Sequence, residues 1–195
     1  MIELLSPAGS PEAVIAAVQN GADAIYMGLG NFNARRGAKN FTDEEFERSM
    51  RYCRIRGCKV YVTLNTLVND REIAQAVESA RLASQLGADG IIIQDLGLAY
   101  AIRQALPDIP LHASTQMSIH SLEGVMEAAA LARELSLEQI KFITQHASIE
   151  TEVFVHGALC FCQSGQCYMS ALIGRRSGNR GMCAQPCRMQ YSLGG

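Results

Sequence analysis

"KVYVTLNTLVNDREIAQAVESARLASQLGADGIIIQD", Lys59 to Asp95, holds a strand, a helix and a second strand in succession. "KVYVTLNTL" is rich in β-branched residues, which fit a pleated, half-buried surface. "NDREIAQAVESARLASQLGA" repeats its apolar residues at helical spacing and ends at Gly87, where a left-handed turn can close a helix. "GIIIQD" is a continuous apolar run, as in a parallel sheet covered on both faces. Two strands joined by a crossover helix run parallel.

The same unit recurs on both sides. "IELL" leads into a helix with Ser10 as N-cap and Pro11 at the first helical position, and "AIYMGLG" is the next strand. After a loop rich in Asn, Arg and Gly, "TDEEFERSMRYCRIRG" is a helix opened by a Thr42–Glu45 capping box. "LGLAYAIRQAL" is a helix closed by Pro107, and "PLHASTQ" is another strand. Such repeats build either a doubly wound open sheet or a (β/α)8 TIM-type barrel. No G-x-G-x-x-G follows the first strand. Polar residues recur instead at strand ends: Ser6, Asn65, Gln94 with Asp95, Ser114 to Gln116, and His156. In a barrel these converge on one mouth, where barrel enzymes keep their active sites. The expected fold is therefore an α/β barrel, incomplete at about six strands, forming one domain over residues 1–195. The closing strands and any C-terminal domain are expected to be absent. Asn65, Asp95, Gln116 and His156 are candidate catalytic residues, joined by Glu134.

One stretch breaks the rhythm. "SLEGVMEAAALARELSLEQIKFITQHA" reads as helix into helix where a strand is due. Either residues are absent between about Glu127 and Arg133, which is the favoured reading, or a helix runs on through Leu131 in a shortened barrel.

The net charge of −2 conceals a split: no Asp or Glu follows Glu152, so the balance is −6 up to that residue and +4 beyond it. The tail's cations are Arg175, Arg176, Arg180 and Arg188, three of them in the glycine-rich "IGRRSGNRGMC". This favours an anionic partner over plain solvated surface. No apolar run reaches the roughly twenty residues that span a bilayer. "MIELLSPAGS" has an acid and no basic region, unlike a signal peptide. A cytoplasmic protein follows, whose seven cysteines are thiols or ligands.

Five of the seven fall in one tail segment: Cys160, Cys162, Cys167, Cys183 and Cys187. Paired C-x2-C knuckles, the usual zinc signature, are missing. Iron–sulfur clusters also take four thiolates and tolerate looser spacing, so a cluster ranks slightly above zinc. A Cys160–His156 nucleophile pair is the other enzymatic reading. Cys53 and Cys58, on or near a helix, are read as plain buried thiols.

"EVFVHGALCFCQSGQC", continued by "GRRSGNRGMCAQPCR", closely resembles the signature of the collagenase-like peptidase family U32. "ELLSPAGSPEAVIAAVQNGADAIYMGL" and "LARELSLEQI" are similar to that family too. The resemblance implies divided chemistry. Some members are described as collagen-degrading proteases, and others as hydroxylation factors for the tRNA wobble uridine, a ribosomal RNA cytidine or the ubiquinone ring. It also implies a 4Fe–4S cluster on Cys160, Cys167 and Cys183 with Cys187 as fourth ligand, and prephenate as co-substrate. The expected partners are RNA, with tRNA foremost, a small dicarboxylate, and a second subunit or copy. Two departures stand out: the family's "G-x-x-R-V-V-L" strand before "ARELS" is lacking, and Cys162 replaces a serine or other small residue. The residues contain no Ser–His–Asp arrangement, H-E-x-x-H motif or strong carboxylate dyad, which favours the hydroxylase branch over the peptidase.

Overall fold

The computed structural model describes residues 2–30, 32–34, 41–125 and 130–192. Five parallel strands form one sheet: β1 (Leu5–Pro7), β2 (Ala24–Gly28), β3 (Lys59–Leu64), β4 (Gly90–Ile93) and β5 (Leu111–Ala113). Between them run α1 (Pro11–Gln19), α2 (Asp43–Ile55), α3 (Asp70–Gln85) and α4 (Leu96–Ala105). The helix signals act as read: Ser10 Oγ accepts from the Ala13 N–H, and Thr42 and Glu45 form a reciprocal capping box. Asn69 and Glu72 form a second such box at the start of α3.

Strand order decides between the two architectures. A doubly wound sheet reverses its order partway, whereas here each strand pairs with the next in sequence, β1-β2-β3-β4-β5. The arrangement is five consecutive units of a TIM-type barrel.

Register then sorts the side chains by face. Ile25, Met27, Val60 and Val62 pack against Val14 of α1 and Phe46, Met50 and Cys53 of α2. Leu64, Ile91 and Ile93 meet Ala76 and Ala80 of α3 and Leu98 and Ile102 of α4. The other face groups Ala24, Tyr61 and Ile92 with Leu5 and Tyr26. It also carries His112, whose ring lies 4.6 Å from that of Tyr61. Burial makes the His112 ring harder to protonate. One face is thus an apolar helix-covered core and the other the semipolar interior of a barrel.

The region after β5 departs from expectation. A 3-10 turn (Thr115–Met117) and a helix, α5, described over Leu122–Val125, follow. Glu127 lies outside the described residues. No helix runs through Leu131: Ala130 makes a parallel bridge with Glu152, the Leu131 N–H donates to the Glu152 carbonyl at 3.0 Å, and that of Ala132 to Ile119 at 2.9 Å. Burial of Ala130, Leu131 and Ala132 overrides the helix propensity of an alanine-rich run. This single bridge stands where a sixth strand was expected. α6 (Leu137–His146) then starts afresh from a Ser136–Gln139 capping box, and α7 (Met169–Gly174) lies in the tail. Among the described residues no helix is long and apolar enough to cross a membrane.

Candidate functional site

Strand alternation carries Thr63, Asn65, Gln94 and Ser114 to the interior side at the C-terminal ends of β3, β4 and β5. Asn65 is held from two sides: its Oδ1 accepts from the Ala34 N–H at 2.9 Å, and its Nδ2 reaches Ser114 Oγ at 3.5 Å. Ser114 Oγ also accepts from the Gln116 N–H, capping the 3-10 turn. The amide oxygens of Gln94 and Gln116 are buried without a hydrogen-bond partner. Such orphans are uncommon in folded proteins and mark places that call for explanation.

Three expected residues do not join this mouth. Asp95 follows Gln94 and so turns the other way; its carboxylate caps α4 through the Leu98 N–H at 2.9 Å and takes the Val68 N–H at 3.3 Å. Ser6 is in register with Ile25, on the helix side. His156 sits in an exposed bend rather than at a strand end. A period of two allows only every second residue to face the barrel interior, which turns Asp95 and Ser6 away, and His156 follows a Val153–Val155 run that pairs with no strand among the described residues.

The cysteine-bearing segment is docked across the mouth. Gly165, at φ +72°, lies against the Gln116 carbonyl so closely that a Cβ there would stand 1.9 Å from the oxygen. Glu134 Oε1 accepts from the Ser164 N–H at 2.5 Å and from its hydroxyl at 2.9 Å. The Ser118 hydroxyl donates to the Ser164 carbonyl. Glu134 Oε2 lies 3.7 Å from His120 Nε2. Burial opposes ionisation of Glu134, but hydrogen bonds from its own N–H and from Ser164, with the His120 ring nearby, outweigh it and lower the carboxyl pKa. Arg133 donates to the Ala158 carbonyl at 2.7 Å and approaches Cys160 Sγ at 3.6 Å.

Further along, Asn179 and Arg180 tie the tail to the β3–α3 loop. The Leu67 N–H donates to the Asn179 carbonyl at 2.9 Å. Arg180 grips Glu72 through both terminal nitrogens, at 2.7 and 2.6 Å, and donates to the Leu67 carbonyl at 3.0 Å. Arg180 is therefore no free anion site: the capping carboxylate of α3 already holds its planar fork. Arg188 donates to the Leu159 carbonyl and Arg176 to that of Met182, each with part of its guanidinium left outward, while Arg175 is exposed at the end of α7.

The neighbouring Cys167 thiol makes Cys162 harder to ionise and raises its pKa. A Cβ on Gly178 would lie 3.7 Å from Cys183 Cβ and 4.0 Å from the Cys167 carbonyl. Cys183 Sγ accepts the Gln185 N–H at 3.3 Å. Cys160, Cys167, Cys183 and Cys187 are expected to be able to converge in one pocket; as they stand, among the described residues no three His, Cys, Asp or Glu side chains are grouped to hold a metal ion. The donor set still suits an iron–sulfur group in kind, with soft thiols on one docked segment, and the loop would have to close to bring them together. Cys53 and Cys58 are buried in the body, as expected.

Neither peptidase geometry forms. The Cys160 sulfur meets Arg133 rather than His156. In the chain Ser164–Glu134–His120 the carboxylate stands between hydroxyl and imidazole; a nucleophile needs the base next to it. The sequence reading also passed over Arg133, His120, Ser118 and Ser164. Alternation from Ile92 would have favoured Gln94 over Asp95, but no local signal marks Ser164.

The description "Peptidase family U32" matches residues 9–194. A 23S rRNA 5-hydroxycytidine synthase of Escherichia coli is 40% identical over 98% of this chain and 30% of its own length. A collagenase of Porphyromonas gingivalis is 35% identical over 98% of this chain and 50% of its own. Other relatives are named tRNA hydroxylation proteins. The chain thus spans a third to a half of the length of curated relatives. A solved U32 peptidase structure superposes with TM-score 0.65 over 77% of this chain and 67% of its own, at 18% identity, sharing the fold. The match over almost the entire sequence makes the chain a member of peptidase family U32.

Proposed function

We propose that this chain is the catalytic barrel portion of an RNA-hydroxylating U32 protein that works in the cytoplasm with an iron–sulfur group. The observation that carries this reading is the docking of the cysteine segment on the mouth, Gly165 against Gln116, beside buried amides with unpaired oxygens. A nucleic-acid base drawn out of its stack would be read by such hydrogen-bonding side chains. Asn65, Gln94, Ser114 and Gln116 are the residues placed to bind and orient it. Cys160, Cys167, Cys183 and Cys187 would hold the 4Fe–4S group, which supplies one-electron redox chemistry when bound. Arg175, Arg176 and Arg188 give the same segment its affinity for phosphates, or for a dicarboxylate co-substrate such as prephenate. Names among the relatives support RNA as the substrate class, ribosomal and transfer RNA alike.

Purification without oxygen, followed by absorption spectroscopy with iron and sulfide assay, tests the reading. A brown protein with about four irons per chain is expected; zinc, or no metal at all, would overturn it. RNA binding supplies a separate check. Arg175→Ala with Arg176→Ala is expected to reduce the slope of log affinity against log salt by roughly 1 to 1.5, the counterion release of two single-strand phosphate contacts. Arg180→Ala is expected to leave that slope alone and cost about 1 kcal/mol of stability, because its partner is Glu72. Equal slopes for the double variant and the parent would reduce the arginines to ordinary surface.

A further inference from the structure

We infer that Arg133 is a positioning residue for the Cys160 sulfur, working with Glu134 as a two-point clamp on the cysteine loop; this rests on the iron–sulfur reading above. The two residues follow directly on Ala130, Leu131 and Ala132, which are buried to 2%, 1% and 2% exposure and tied by backbone hydrogen bonds to Glu152 and Ile119. Their base is therefore firm, whereas the loop they hold has no regular structure between Val153 and Tyr168.

Arg133 touches that loop three times. Its guanidinium lies 5.4 Å from the centre of the Phe154 ring, one terminal nitrogen donates to the Ala158 carbonyl at 2.7 Å, and the other lies 3.6 Å from Cys160 Sγ. A planar fork can serve the carbonyl and the sulfur together; a lysine ammonium, a compact point charge, lacks that shape. Glu134 takes hold on the far side of Cys160 and Cys162, at the Ser164 N–H and hydroxyl. Consecutive residues of one rigid segment thus fix both ends of the stretch that carries the first candidate ligand.

The charge of the fork has its own consequence. A hydrogen-bond donor to a ligating sulfur stabilises the electron-rich, reduced form and raises the reduction potential. Among the tail cysteines, Cys160 is in hydrogen-bond contact with a cationic side chain, while Cys183 receives a backbone N–H. Arg133 would therefore set the potential as well as the position of the sulfur.

The test uses Arg133→Met, Arg133→Lys and Glu134→Gln in the anaerobically prepared protein, with three readouts. These are the cluster's midpoint potential, the rate of iron loss to a chelator, and backbone hydrogen exchange of residues 154–164 in the metal-free protein. Arg133→Met is expected to lower the potential, to speed iron loss about tenfold or more, and to strip the loop of exchange protection. Arg133→Lys should restore part of the potential but not the protection, since charge returns without the fork. Glu134→Gln should leave the potential unchanged while raising exchange around Ser164. An unchanged potential in a fully loaded Arg133→Met protein would overturn the positioning role. If the parent protein takes up no iron, the iron–sulfur reading fails by itself. Hydrogen exchange then decides on the clamp: equal protection in parent and Arg133→Met overturns it, and loss in the variant upholds it.

Discussion

Alanine in place of Gly165 is expected to lift the cysteine segment off the barrel mouth while leaving the five-stranded sheet folded. The added Cβ would lie 1.9 Å from the Gln116 carbonyl oxygen, 2.7 Å from its carbon and 3.1 Å from its Cα, all backbone atoms. Gln116 cannot retreat easily. Its turn is capped by Ser114 and closed by hydrogen bonds from the Met117 N–H to Ser114 and from the Ser118 N–H to Thr115. A left-handed backbone at φ +72° adds about 1 kcal/mol for any residue with a Cβ. Around Gly165 the contacts opposing separation are the few hydrogen bonds to Ser164, Ala158 and Gln166, each worth about 1 kcal/mol net, while the Asn179 and Arg180 ties lie further along the tail. Docking should therefore give way before the sheet does. Limited proteolysis would find new cleavage between residues 160 and 170 with the circular dichroism of the body unchanged. Unaltered protection of that segment would show that the close approach to Gln116 is not what holds it.

Serine at Cys160 or Cys167 is expected to abolish both bound iron and RNA hydroxylation, whereas serine at Cys53 or Cys58 should spare both. The contrast follows from location. Cys160 is exposed and Cys167 half-buried on the docked segment, while Cys53, on α2, and Cys58, just after it, are buried in the core. Burial, followed by the adjacent Cys58 thiol, pushes the Cys53 pKa up to about 12, so it stays protonated and is no ligand. Serine at Cys53 should instead cost stability, about 1–3 kcal/mol for a hydroxyl placed in an apolar core. A Cys–His peptidase makes the opposite forecast: peptide cleavage lost with Cys160 or His156, and iron irrelevant throughout. Full iron content in Cys160→Ser together with Cys167→Ser would remove them from the ligand set.

The barrel was legible because its signals are local and repeat. Alternation in "KVYVTLNTL", the boxes at Thr42 and the cap at Ser10 each act within a few residues of where they are written. The site was legible only where it stayed within one strand. Asn65 and Gln116 reach the mouth, yet Asp95 does not, because adjacent strand residues face opposite ways and Asp95 has a helix to cap. Arg180 looked like a phosphate ligand because its partner Glu72 stands 108 residues earlier. "EAAALARELS" reads as helix by propensity, but the N–H of its Leu131 is claimed by the Glu152 carbonyl and that of Ala132 by Ile119. Long-range partners of this kind leave no mark in local pattern.

The pairing of each strand with its predecessor bears on how a newly made chain acquires its shape. As each strand emerges, the neighbour it needs is already present, so the sheet can grow in the order of synthesis. Loop closure at this range is cheap to extend, since each doubling of length adds only about 0.6 kcal/mol. The tail is different. Its Arg180 must find Glu72, and Gly165 must find the Gln116 turn, so neither can settle before the body has formed. Folding is thus ordered in time: the body comes first and closure of the segment comes last.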